Sequence, residues 1–60
     1  MNNYYVEGHG WFVVRTRTKR RARSVGVREY GRGNVRCVRP ATQAETREYI
    51  VQRSEAAMQE

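Results

Sequence analysis

Sixty residues carry eleven arginines and one lysine against six glutamates, a formal charge of +6 and an isoelectric point near 10.5. A chain this short is one domain that buries only about 60% of its unfolded surface, and with 38% apolar residues and no leucine its core is thin. That leaves too little interior for an enclosed catalytic pocket, and the solitary Cys37 and His9 exclude an internal disulfide and a zinc site made of Cys and His alone.

Tyr4–Glu7 is a short β-prone stretch closed by Gly8-His9-Gly10, a turn signal. Trp11–Thr18 is the clearest strand, running Trp, Phe, Val, Val and then alternating Arg with Thr. Lys19-Arg20-Arg21-Ala22-Arg23 reads as a charge-dense hairpin loop, and Ser24–Tyr30 as a second main strand. Gly31-Arg32-Gly33-Asn34 is a strong turn, because glycine and asparagine tolerate positive φ. Val35–Arg39 is the third main strand, stopped by Pro40, which has no N–H for a ladder. Thr42 and Glu45 then have the spacing of a capping box, and the stretch from about 43 to 57 lacks Gly and Pro and reads as a helix. Its apolar stripe, through Thr46, Tyr49, Ile50, Arg53 and Ala57, is weak. The expected fold is α+β: a single domain over residues 1–60, with a small antiparallel sheet packed on one C-terminal helix. The sheet has three main strands, with Tyr4–Glu7 a candidate fourth at its edge.

Side chains alternate across a strand, so each strand divides into two faces. The consistent arrangement puts Phe12, Val14, Val25, Val27, Val35 and Cys37 inward, under the Tyr49-Ile50 side of the helix. Arg15, Arg17, Arg28 and Arg36 then share the outer face, flanked by Trp11 and Tyr30, with Gly26 leaving room for a close approach. Antiparallel sheets ordinarily keep one wet face, where arginine is at home. Cross-strand arginines nevertheless repel one another unless acids are interleaved, and Glu29 is the one acid within these three strands.

Guanidinium offers five fixed donors matched to phosphate and to guanine edges, so the arginine excess points to nucleic acid. Arg15, Arg17, Arg28 and Arg36 are the candidate groove contacts, and Lys19, Arg20, Arg21 and Arg23 the candidate phosphate contacts. Trp11 and Tyr30 could stack on unpaired bases, which would suit RNA or a single strand. An ordinary solvated loop and a nuclear-targeting signal are other readings of the Lys19–Arg23 run. No nucleophile–base set, paired carboxylates or phosphate-cradling glycine loop appears, so catalysis is not expected, and no cofactor is implied.

Two families share parts of this layout. Gly10-Trp11-Phe12-Val13-Val14-Arg15, the segment with Val25-Gly26-Val27-Arg28 and the helix after Thr42 are similar to the arm-type DNA-binding domain of tyrosine recombinases. That resemblance implies a three-stranded sheet laid in the major groove and braced by the helix. Gly31-Arg32-Gly33-Asn34-Val35-Arg36 and Arg47-Glu48-Tyr49-Ile50 resemble the glycine turn and helix start of the carbon-storage-regulator family of RNA-binding dimers. That family places an RNA-contacting strand between the two, where this chain has Pro40 to Thr46, so its sites are not carried over.

The expectation is a non-enzymatic nucleic-acid-binding regulator or accessory factor of a bacterium or mobile element, with duplex DNA favoured over RNA. A homodimer, formed through the helix or the Tyr4–Glu7 edge, fits the thin core. A phage-type inhibitor or interaction module with an acidic protein partner is the alternative. No apolar run could span a membrane and no signal-peptide core is seen, so a cytoplasmic protein is expected, associated with the nucleoid if it binds DNA.

Overall fold

The structure, a computed structural model, describes the backbone of residues 1–58 and side chains as far as residue 54. Residues 59–60 of the expected domain, and the side chain of Ala57 in the expected stripe, lie outside what is described. The glycine turn joins a hairpin of β1 (Asn2–Glu7) and β2 (Trp11–Thr16), paired antiparallel with Tyr4 opposite Val14 and Val6 opposite Phe12. A third strand, β3 (Cys37–Pro40), pairs antiparallel with the other side of β1, so the sheet order is β2-β1-β3. Tyr4–Glu7 is therefore the centre of the sheet and not its edge. Central position also explains its burial: Val6 is fully buried and Tyr4 is 9% exposed.

The largest correction concerns residues 19–30, where a basic loop and a strand were expected. They form one helix, α1 (Lys19–Tyr30). Thr18, expected as the end of a strand, is the N-cap, and its side-chain oxygen accepts the Arg21 backbone N–H at 3.2 Å. Ala22, Gly26 and Tyr30 recur at one-turn spacing and supply the face that meets the sheet, with Ala22 and Gly26 buried and Tyr30 against Phe12. A Cβ on Gly26 would stand 2.7 Å from Val6 Cγ1, so the missing side chain sets how closely the helix lies on β1. Tertiary packing outweighs the strand preference of Val25, Val27 and Tyr30. The helix also turns its cations outward, whereas the expected sheet would have set arginines on neighbouring strands.

Gly31 and Gly33, at φ +96° and +85°, make the expected turn after α1. β3 starts two residues later than expected and includes Pro40 as its last residue. Its register places Val38 beside Val6 and Cys37 beside Glu7. Val38 is thus the inward residue and Cys37 lies on the other face, the reverse of the expected assignment. The core consists of Tyr4, Val6, Ala22 and Val38, with Phe12, Val14, Tyr30 and Val35 packed around it.

The second helix, α2 (Gln43–Met58), begins at the expected capping box. Glu45 N–H donates to Thr42 Oγ1 at 3.1 Å, and Thr42 N–H donates to Glu45 Oε1 at 2.9 Å. α2 meets the sheet on the face opposite α1, through Tyr49 beside Trp11. Ile50, expected to pack inward, is 59% exposed. The fold is α+β with a three-stranded antiparallel sheet, but its core lies beneath α1 and not beneath the C-terminal helix.

Candidate nucleic-acid interface

Helical geometry brings together cations that the sequence had divided between a loop and a strand. Lys19, Arg20, Arg21, Arg23 and Arg28 are all exposed on α1. Successive residues turn by 100°, so Arg20, Ser24 and Arg28 point away from the buried Ala22–Gly26 face. Arg21 lies toward β2 and Arg23 toward the opposite flank, while Lys19, one turn before Ala22, is exposed at the start of the helix. Arg17 follows β2 directly and adjoins the start of the helix. Ser24, which was not among the expected contacts, adds a hydroxyl to the outward stripe and donates to Arg20 O at 3.2 Å. The Arg20–Ser24–Arg28 spacing is the signal that would have found it.

The remaining expected contacts lie elsewhere. Arg15 stands opposite Asn3 and points to the sheet face away from α1. Arg36 lies just before β3, its N–H bonded to Glu7 O at 2.8 Å, in a polar cleft with Gly8, His9, Gly33 and Asn34. The expected four-arginine sheet face does not form.

Electrostatics leave the α1 cations unneutralised. The first turn has no acid, although Lys19, Arg20 and Arg21 crowd the positive end of the helix dipole. Lys19 and Arg23 form a like-charged i, i+4 pair, also unfavourable. Among the described residues none of the α1 cations has an ion-pair partner, and Arg39 is bound to Glu45. An anion laid along α1 would relieve these repulsions.

The aromatic candidates are already occupied. Trp11 stacks on Tyr5 at 5.6 Å between centroids and lies 5.9 Å from Tyr49. Tyr30 packs on Phe12 and against Gly8, and burial raises its phenol pKa above the ordinary value. On the α2 side, Arg39 lies 4.2 Å over the Tyr5 ring, and the Tyr5 hydroxyl donates to Glu7 at 2.6 Å. That hydrogen bond, helped by desolvation, pushes the Tyr5 phenol up to about 12. No group of three His, Cys, Asp or Glu side chains gathers for a metal among the described residues, and no described helix is long and apolar enough to cross a membrane. Comparison with protein-family models, with curated proteins and with solved structures finds no match.

Proposed function

We propose that this chain is a non-enzymatic nucleic-acid-binding protein that presents α1 to duplex DNA as a small regulator or accessory factor in the cytoplasm. The observation that carries this reading is the exposed, unneutralised face of α1, with Lys19, Arg20, Arg21, Arg23 and Arg28 on one helix. A helix fits the B-form major groove, which is about 12 Å wide. Arg20 and Arg28, flanking Ser24, would meet base edges, while Arg17, Lys19, Arg21 and Arg23 would hold phosphates. The major groove of A-form RNA is too narrow for such a helix. The involvement of Trp11 and Tyr30 in intramolecular ring contacts also argues for duplex over unpaired bases. Matched titrations of a labelled DNA duplex, the same sequence as RNA duplex, and single-stranded DNA test the reading. The DNA duplex should bind most tightly; equal affinity for all three would reduce the interaction to charge alone.

A second reading, a protein-interaction module, is favoured by Ile50 and Val51, which are 59% and 49% exposed on α2. They border an open groove with Ala41 and Asn3. Binding of an acidic protein with no affinity for any nucleic acid would make that the primary function.

A further inference from the structure

Both outer strands of a β2-β1-β3 sheet have one open edge, and the two edges differ. β3 is four residues long and ends in proline, a blunted edge. β2 is six residues long with an apolar centre, and nothing pairs with its outer side among the described residues. Beside it runs a groove of about 410 Å³. Phe12 to Val14 form its floor, Val25 and Glu29 of α1 one wall, and Tyr49 and Arg53 of α2 the other. A strand edge between two walls accepts an extended segment through main-chain hydrogen bonds.

We propose that the segment is β2 of a second copy, paired antiparallel about a two-fold axis through Val13. The reason is charge self-complementarity. Pairing β2 with itself at Val13 sets Trp11 opposite the Arg15 of the other copy, and Phe12 opposite its Val14. These are a cation–aromatic and an aromatic–β-branched pair, with no like charges opposed. The α1 wall obeys the same symmetry. Arg21, Val25 and Glu29 follow one another at four-residue spacing along the flank facing β2, in the order positive, apolar, negative. A two-fold axis makes the paired helices antiparallel, so Arg21 of each copy faces Glu29 of the other. Glu29, the one acid of α1, thereby acquires a role that the DNA-binding reading does not give it.

The dimer would have a six-stranded sheet with both α1 helices on one face. Each α1 lies over its own β1, three strand spacings from the other, or about 14 Å at about 4.8 Å per strand. Half-sites read in successive major grooves need about 34 Å. The two helices therefore form one continuous basic plate and do not read a palindrome at one-turn spacing.

Sedimentation equilibrium without nucleic acid tests the pairing independently of DNA binding. The chain should dimerise, and Glu29→Arg should weaken the dimer about tenfold, because two symmetric attractions become repulsions at exposed positions. Arg21→Glu should do the same, and the double variant should recover the dimer, which a general loss of folding would not allow. A chain monomeric at millimolar concentration would leave the groove to an extended segment of a different protein and overturn the proposal. So would a dimer indifferent to all three variants.

Discussion

The Arg39 guanidinium meets both oxygens of the Glu45 carboxylate, tying the end of β3 to the first turn of α2. The same guanidinium lies over the Tyr5 ring, Tyr5 stacks on Trp11, and Trp11 touches Tyr49. This continuous series of planar groups crosses all three strands and ends on α2. It attaches a helix whose own apolar surface is too small to dock it.

The first prediction concerns acid. The Arg39 hydrogen bond, aided by the Thr42 N–H, lowers the Glu45 pKa from 4.5 to about 2. A carboxyl whose folded pKa is depressed contributes stability that is complete above its unfolded pKa and is lost as pH falls through the folded one. A carbon-detected NMR titration should give Glu45 a midpoint near 2. Glu45→Gln should flatten the stability–pH curve between about 4.5 and 2. An ordinary midpoint would show that the ion pair does not persist in solution.

At the alkaline end, the Tyr5 phenol should titrate at about 12. Its raised pKa favours the neutral form, so the associated stability is intact below pH 10 and disappears as pH rises toward 12. Ultraviolet difference titration of wild type and Tyr5→Phe checks this, and the component near pH 12 should vanish in the variant.

Gly26→Ala sets two effects against each other. Alanine improves intrinsic helix propensity by about 1 kcal/mol. Its Cβ, however, would lie 2.7 Å from Val6 Cγ1 and 3.2 Å from Val35 Cγ2, and Val6 is fully buried. Overpacking of this kind costs about 1–3 kcal/mol, so the substitution should destabilise by about 1 kcal/mol net. A gain in urea midpoint would mean that α1 stands further from β1 than described.

Trp11→Ala separates packing from base stacking. The ring links Tyr5 to Tyr49, so its loss should destabilise the fold by about 2 kcal/mol, less than for a fully buried tryptophan. Duplex affinity of the folded variant should remain within about twofold of wild type, because the ring is already engaged. A large loss of affinity without a loss of stability would return Trp11 to the binding surface.

Legibility in the sequence differed sharply between elements. The capping box of Thr42 and Glu45, the glycine turns and the start of β2 are local devices, and local residues announced them. α1 was hidden because two of its signals contradict the usual ones. Its N-cap Thr18 is followed by Arg21 where a capping box would have an acid, and its sheet-facing stripe is Ala22, Gly26 and Tyr30, small residues that register poorly as hydrophobic. Val25 and Val27 meanwhile alternated as a strand would. Only the sheet it rests on, with Val6 directly under Gly26, makes that segment a helix. A loop and a strand in place of α1 make β1 an edge, exchange the faces of Val38 and Cys37, and put the arginines on a sheet surface. The charge itself was legible from the start; its distribution in space depended on one tertiary contact.

The central claim is that α1 carries nucleic-acid binding, and the salt dependence of duplex affinity tests it most directly. The four phosphate contacts assigned to Arg17, Lys19, Arg21 and Arg23 give a log–log slope of about −3.6. Lys19→Ala with Arg23→Ala, both exposed and unpaired among described residues, should move that slope to about −1.8. Arg47→Ala on α2 should leave it unchanged. Binding absent at low salt, independent of salt, or reduced equally by the α1 and α2 variants would contradict the account.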